Sequence, residues 1–138
     1  MRRRKCGRGT VCRSVSLCRD HGDVKIAYQM PLYPMIANYD TESSKDNHAK
    51  IWNTKRNHFG WKMYLDRAWD REVPGYAAVL RTQNLADLPP AYTFVGGAEP
   101  FYEETKEFVR RMREAGNTIE MDEYPGMYHA FDMIDPES

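Results

Sequence analysis

Residues 91–124 constrain the fold most strongly, because they predict a strand, a helix and a second strand in that order. AYTFVGG is a short apolar run that two glycines end, and TIEMDEY alternates apolar and charged side chains. Between them, residues 100–115 show helical spacing, with Pro100 at the first helical position and Gly116 as a left-handed stop. The predicted buried stripe of this helix is Phe101, Phe108, Val109 and Met112. Such a unit predicts two parallel strands joined by a covering helix.

The preceding residues extend the same pattern. VKIAYQM, residues 24–30, has the spacing of a strand, and residues 38–57 are polar and predict a long loop or a short helix. Helices are predicted near 58–69 and near 75–81. The apolar positions behind these predictions are Val24, Ile26, Tyr28 and Met30 for the strand, and Trp61, Tyr64, Leu65, Ala68 and Trp69 for the longer helix. The predicted fold class is therefore α/β, a mostly parallel sheet flanked by helices.

Glu99 and His129 each follow a predicted strand. Because the carboxyl ends of parallel strands meet at one edge of a sheet, we expect both side chains on the same rim. An acid and an imidazole in those places are two of the three members of a catalytic triad. The simpler alternatives are that Glu99 caps the following helix and that His129 is bonded to backbone in a loop. His21, His48 and His58 are interpreted as surface residues, and Glu103 and Glu104 as a solvated helix start.

Several separated motifs resemble one known family. LPPAYTFVGGAEPFYEETKEFVRRMREAG and EMDEYPGMYHAF resemble the C-terminal part of α/β-hydrolase esterases and lipases of the hormone-sensitive-lipase-like family. IAYQMPLYPMI, WKMYL and VPGYAA are similar to stretches that these enzymes carry between nucleophile and acid. The resemblance runs from about Val24 to Ile134. It implies the C-terminal part of an α/β-hydrolase fold, carboxylic-ester hydrolysis and a small-molecule ester substrate.

The resemblance also implies site roles, with Glu99 as the triad acid and His129 as the catalytic base. In the family a serine precedes both, on a G-x-S-x-G elbow between a strand and a helix. No G-x-S-x-G motif occurs in the 138 residues. The serines are Ser14, Ser16, Ser43, Ser44 and Ser138. The chain is therefore expected to lack a nucleophile and to be inactive alone, and its chemistry calls for no cofactor and no metal.

A truncated C-terminal portion with an altered start would explain the missing elbow. SVSLCRDHGD resembles the end of the helix that follows the elbow, whereas MRRRKCGRGTVCR resembles nothing in the family. The hypothesis divides the chain into a basic, cysteine-containing segment 1–20, disordered or foreign to the family, and a C-terminal α/β-hydrolase portion 21–138. A wrong start site or a shifted reading frame predicts an in-frame elbow in the upstream DNA.

The first 20 residues differ from the rest in charge. They hold seven basic side chains and one acidic side chain, which leaves 13 basic and 19 acidic residues beyond them. Cys6, Cys12 and Cys18 lie here and, with His21, offer zinc three thiols and an imidazole, although no closely spaced cysteine pair is present. A weak zinc or nucleic-acid binder through residues 1–21 is one alternative function. Free thiols on a disordered tail are the plainer interpretation.

The whole chain has 20 basic and 20 acidic side chains, and this balance gives no steering toward nucleic acid or an anionic membrane. No apolar run approaches the roughly 18 residues of a membrane span. No apolar signal core follows the basic start, so a cytoplasmic protein is expected. A partial sheet leaves an open edge and uncovered apolar surface. Self-association through that edge is therefore predicted, and a non-catalytic oligomeric or interaction module is the other alternative function.

Overall fold

The chain folds into helices around a small parallel sheet. The computed structural model describes residues 10–22, 24–66 and 72–136. In chain order its elements are α1 (Thr10–His21), α2 (Thr54–Leu65), a 3₁₀ turn (Val79–Arg81), β1 (Ala91–Gly96), α3 (Tyr102–Glu114), β2 (Ile119–Tyr124) and α4 (Phe131–Ile134). No helix in the described ranges is long and apolar enough to cross a membrane.

The predicted strand–helix–strand unit is confirmed. β1 and β2 pair in parallel, from Ala91 opposite Ile119 to Gly96 opposite Tyr124, and α3 connects them. All four residues of the predicted buried stripe are at most 2% exposed: Phe101, Phe108, Val109 and Met112. Helix α3 begins at Tyr102, two residues after the predicted Pro100, and the left-handed Gly116 (φ +85°) ends it. The Asn117 side chain then binds the Leu85 carbonyl at 2.7 Å, which holds the loop before β1.

The largest core cluster joins α1 and α3 to the beginnings of both strands. From α1, Cys12 (2% exposed) and Val15 (4%) pack into this cluster. Residues 10–20 are therefore helical and buried on one side, which corrects the predicted disorder of segment 1–20 over these residues. The helix forms because apolar side chains three residues apart share a face that the core covers. Residues 1–9, which include Cys6, lie outside the described residues.

Residues 24–30 do not form the predicted strand. Their one ladder contact among the described residues is a parallel bridge between Gln29 and Ala91. The predicted buried face is instead largely exposed, with Val24 at 59%, Tyr28 at 49% and Met30 at 52%. A strand requires successive hydrogen bonds to a neighbouring strand, and within the described chain only Gln29 of residues 24–30 makes them with β1.

The middle of the chain differs from prediction mainly at helix ends. Helix α2 begins at Thr54, before the predicted 58, because the Asn53 side chain accepts a hydrogen bond from the Arg56 amide and caps it. Trp61 and Leu65 are buried as predicted. Tyr64 is 40% exposed, and the predicted face residues Ala68 and Trp69 lie outside the described residues. The predicted helix near 75–81 is reduced to the 3₁₀ turn.

Candidate active site

The side chain of Glu99 is fully buried just beyond the end of β1. Its Oε1 accepts a hydrogen bond from the Gly96 amide at 2.8 Å, so the carboxylate folds back onto the strand that precedes it. Helix α3 has Phe101 at its N-cap, without a side-chain capping bond. The simpler alternative, in which Glu99 caps this helix, therefore does not describe the contacts that the carboxylate makes.

The loop that carries His129 packs directly on the loop that carries Glu99. The Gly97 amide donates to the Tyr124 carbonyl at 2.9 Å, and the Ala98 amide donates to the Met127 carbonyl at 3.0 Å. A Cβ atom at Gly96 would lie 2.2 Å from the Met127 carbonyl oxygen. The glycine that ends β1 therefore permits the close approach of the two loops.

This approach brings the two predicted site residues together. His129 Nδ1 lies 2.6 Å from Glu99 Oε2, and the imidazole is 14% exposed. A carboxylate only accepts hydrogen bonds, so Nδ1 carries the proton and donates it. In the neutral imidazole this leaves Nε2 with a free lone pair. The arrangement therefore fixes the tautomer that can accept a proton at Nε2.

Three aromatic rings surround the imidazole. The ring centroids of Tyr33 and Phe101 lie 4.6 Å and 5.1 Å from that of His129, both edge-on, and Trp52 lies 5.9 Å away. The Tyr33 hydroxyl donates to Asp132 Oδ1 at 2.9 Å, just after the histidine loop. These rings come from three separate segments and restrict rotation of the imidazole.

Two polar side chains of the predicted loop 38–57 bond to the loop that carries Glu99, and the sequence does not predict these bonds. Ser43 Oγ donates to the Pro100 carbonyl at 2.7 Å and accepts from the Glu103 amide at 3.1 Å. Asn47 Nδ2 donates to the Ala98 carbonyl at 3.1 Å. Nothing in the local sequence indicates these partners, which lie more than 50 residues away.

Glu104 departs from its prediction as a solvated helix start. Its side chain is fully buried, and Oε1 accepts hydrogen bonds from the amides of Ile36 at 2.7 Å and Ala37 at 3.4 Å. Burial raises the pKa of Glu104 to about 8, and the nearby Glu99 carboxylate adds to this. The carboxyl is therefore mostly protonated at neutral pH.

The remaining predicted surface histidines are exposed. His58 Nε2 lies 2.7 Å from Asp40 Oδ1, with the imidazole 51% exposed. His48 lies 2.9 Å from Asp46, and the His48 side chain is 86% exposed. His21 ends α1 at the surface. A histidine–carboxylate distance alone thus does not distinguish His129; its burial and its aromatic neighbours do.

The cysteines of α1 are free thiols. Cys12 is buried, and burial raises its pKa to about 12, whereas Cys18 is partly exposed. Within residues 10–22, 24–66 and 72–136, no group of three or more His, Cys, Asp or Glu side chains is arranged to hold a metal ion. The predicted zinc alternative also involves Cys6, which lies outside these ranges.

The serines near the site bond elsewhere in the fold. Ser43 is engaged with the acid loop, and Ser44 is fully buried and accepts from the Thr41 amide at 2.8 Å. On α1, Ser16 is buried and Ser14 is exposed, while Ser138 lies outside the described residues.

Comparison with known proteins shows similarity to proteins of one fold, among them solved esterase structures. A family described as having the alpha/beta hydrolase fold matches residues 9–133. The solved structure of a bacterial heroin esterase has a TM-score of 0.88 at 28% identity, over 93% of this chain and 42% of that one. A thermostable esterase from Pseudomonas putida gives 0.84 at 25% identity, over 96% and 42%. Esterase LipW from Mycobacterium marinum gives 0.88 at 21% identity, over 96% and 41%.

The coverage is unequal in the two directions. Nearly all of this chain is matched, yet it spans less than half of the length of each of these esterases. No curated protein matches the chain. The matched range begins at residue 9, so it includes α1 as well as the sheet and the candidate site.

Proposed function

The chain belongs to the α/β-hydrolase fold family, and we propose that Glu99 and His129 are the acid and base of a serine ester hydrolase site. The observation that carries this proposal is the 2.6 Å contact between His129 Nδ1 and the buried Glu99 Oε2. The similarity to esterases at 25% and 28% identity supports ester substrates over other acyl compounds.

The chemistry assigns each atom a task. Glu99 accepts the hydrogen bond from the Nδ1–H group of His129 and stabilises the imidazolium that forms during the reaction. His129 Nε2 takes the proton of a serine hydroxyl as the serine oxygen attacks the ester carbonyl carbon, and then gives that proton to the leaving alcohol. Water repeats the sequence to release the acid. The aromatic rings around His129 limit water at the base.

No serine of the 138 residues stands in the motif that carries the family's nucleophile. They contain no G-x-S-x-G motif, and the described serines near His129 bond to other partners. We therefore propose that a serine on another polypeptide segment completes the site, and that this chain alone hydrolyses no ester. Fluorophosphonate labelling of the purified chain, together with an assay on p-nitrophenyl acetate, tests the second statement, and serine-specific labelling would contradict it.

A fusion protein tests whether the pair is catalytic. The part of the bacterial heroin esterase that precedes the similar region is joined to the front of this chain. We expect the fusion to hydrolyse p-nitrophenyl acetate and His129→Ala to lower kcat by roughly 10⁶-fold, as loss of a triad histidine does. Glu99→Gln should cost roughly 10⁴-fold, because the tautomer is no longer fixed.

The matched control is His58→Ala, because His58 also lies 2.7 Å from a carboxylate but is half exposed. This variant should keep the activity of the parent fusion. Circular dichroism and thermal melting establish that each protein is folded. A folded fusion that turns over ester equally well with and without His129 would refute the catalytic role, as would a folded fusion with no turnover.

A second candidate function follows from the surface beside β1. Val24, Tyr28 and Met30 are about half exposed along a segment with a single bridge to the sheet. We propose that a second copy of this chain covers this surface, giving an oligomeric module independent of catalysis. Its test is the concentration dependence of the mass in solution, given below.

A further inference from the structure

The buried Glu104 carboxyl is not used in the proposed reaction, yet it is tied to the main chain of a distant segment. It lies in the first turn of α3, one turn beyond the acid loop. Its Oε1 accepts from the amides of Ile36 and Ala37, 68 and 67 residues earlier in the chain. A fully buried carboxyl at such a position has lost its hydration, so these two amides are its compensation.

The segment held by Glu104 carries an aromatic neighbour of His129. Residues 31–37 lie beside β1 at their start and beside α3 at their end. Tyr33 lies in their middle, with its ring centroid 4.6 Å from that of His129. β1 fixes the near end, where the Tyr33 amide donates to the Phe94 carbonyl at 3.0 Å and Thr93 Oγ1 donates to the Pro31 carbonyl at 2.6 Å. At the far end, Glu104 accepts the Ile36 and Ala37 amides, and the Leu80 amide donates to the Ile36 carbonyl at 3.2 Å.

The backbone at Tyr33 is held in an unfavourable conformation. Its φ of 34° lies in the left-handed region, which a non-glycine residue adopts only when its surroundings hold it there. Tyr33 is 1% exposed and bonds to Asp132 through its hydroxyl. If the far anchor were lost, relaxation of this backbone would move the ring that lies edge-on to the imidazole.

Glu104 makes these contacts without adding a second full charge to the site. Burial and the Glu99 carboxylate keep it mostly protonated at neutral pH. In that form Oε1 is a carbonyl oxygen that accepts the two amides, and the proton resides on Oε2. A glutamine side chain reproduces this arrangement, with a carbonyl oxygen and a donor group in place of the hydroxyl.

We propose that Glu104 is a positioning residue for His129: by anchoring Ile36 and Ala37 it holds Tyr33 against the imidazole and so keeps Nδ1 on Glu99. The significance of this for catalysis rests on the proposed function, but the geometric claim does not. It concerns the orientation and protection of one histidine ring, which are measurable in the chain as it exists.

The test is the far-downfield NMR resonance of the His129 Nδ1 proton, a signal that a short imidazole–carboxylate bond protects from exchange. We expect Glu104→Gln to retain the wild-type exchange rate. Glu104→Met removes the acceptor, and we expect about tenfold faster exchange, as for the loss of one buried hydrogen bond to a locally opening segment. Glu104→Asp keeps the acid but is one methylene shorter, and it should behave as Glu104→Met does.

Two controls separate positioning from general loss of stability. Glu103→Gln alters the neighbouring acid, which faces solvent and Lys106. Leu65→Val truncates a side chain in a different core cluster, with Trp61 and Ala78. Neither should change the exchange rate at His129, even where Leu65→Val lowers the melting temperature as much as Glu104→Met.

Three results would overturn the proposal: a wild-type exchange rate in Glu104→Asp, the same rate in a folded Glu104→Met, or equal acceleration in a Leu65→Val protein of the same stability. Because no ester is used, the outcome is independent of catalysis. If the fusion protein proves inactive while Glu104→Asp accelerates exchange, the proposed function fails and the positioning role of Glu104 stands.

Discussion

Two regions of this molecule differ in how many of their hydrogen bonds and apolar surfaces find partners within the chain. In the rim, residues 96–100 and 125–130, two amides bond across the loops and both oxygens of Glu99 have partners. Along the edge, residues 24–30, one bridge to Ala91 is the only ladder contact that the described part of the chain makes, and three large apolar side chains are about half exposed. A groove of about 560 Å³ also opens between α1 and the edge.

This difference shows that the Glu99–His129 pair and the sheet that supports it have separate requirements. The rim is closed by hydrogen bonds within this chain, both across its two loops and from Ser43 and Asn47, so its geometry is held by residues of this chain. The edge needs a neighbour on its free side, because strand hydrogen bonds and buried apolar faces come from partners. Properties of the rim should therefore be independent of protein concentration, whereas those of the edge should depend on it.

The largest effect is expected on α1, which borders the edge but packs into the core. Burial raises the pKa of Cys12 to about 12 from an ordinary value of 9.0, which lowers its thiolate fraction by about 10³-fold. Iodoacetamide should therefore alkylate the partly exposed Cys18 well before Cys12, as peptide mass spectrometry would measure. In mild urea the two rates should converge. Equal rates without urea would show that α1 is not packed against the core. In that case α1, like the edge, would lack stable contacts within this chain.

The next effect concerns the closure of the rim. Gly96→Ala introduces a Cβ 2.2 Å from the Met127 carbonyl, so the loops must separate, at a cost of about 3 kcal/mol in unfolding free energy. The Nδ1 proton signal of His129 should be lost with it. The control is Gly116→Ala, which meets no atom within 4 Å but has a left-handed φ and should cost about 1 kcal/mol. Urea unfolding and NMR distinguish them, and a retained signal in Gly96→Ala would contradict close loop contact.

The same contrast explains what the sequence could predict. The strand–helix–strand unit, the buried stripe of α3 and the meeting of Glu99 with His129 follow from local periodicity and from the geometry of parallel strands. Each of these predictions rests on patterns within single strands, helices or loops, together with the rule that parallel strands end at one edge of a sheet. The position of Glu99 just beyond a strand end is therefore enough to predict that it meets His129, and its individual hydrogen bonds are not needed for that prediction.

Features that depend on distant partners were missed. Glu104 has the sequence context of a solvated helix start, and only the amides of Ile36 and Ala37 reveal it as a buried acceptor. The resemblance of SVSLCRDHGD to the end of a helix is consistent with α1, but the packing of Cys12 and Val15 into the core has no signal in the sequence. The edge was assigned as a strand from its alternation, but pairing depends on a neighbour that no local pattern specifies.

A smaller effect is expected in the pH dependence of stability. The pKa of Glu104 is about 8 in the folded protein, against an ordinary value of 4.5, so between these pH values the folded state holds a proton that the unfolded state has released. Stability therefore falls as pH rises, by roughly 2 kcal/mol between pH 5 and pH 7. Glu107 has a lowered pKa because of Arg110, and its contribution is lost only below about pH 4.5.

The variant Glu104→Gln isolates this contribution. Its side chain does not titrate, so the unfolding free energy of wild type minus that of the variant should fall by roughly 2 kcal/mol from pH 5 to pH 7. Histidines and surface carboxylates cancel in that difference. Urea titrations at the two pH values give the result, and parallel pH dependence in both proteins would show that Glu104 is ionised in the folded state.

The smallest change in stability, and the most direct test of the edge, is expected for Tyr28→Lys. Tyr28 is 49% exposed, so the substitution should alter the unfolding free energy by at most about 0.5 kcal/mol. A charged side chain on an open edge opposes pairing with another chain, so sedimentation should show less concentration-dependent association than in wild type. Phe59→Lys is the control, because Phe59 is 66% exposed on α2, outside the edge. If both variants reduce association equally, exposed apolar area in general drives it; if neither does, the edge is not the contact. Reduced association in Tyr28→Lys alone, with an unchanged His129 proton signal, would establish that edge and rim are independent, as their contacts imply.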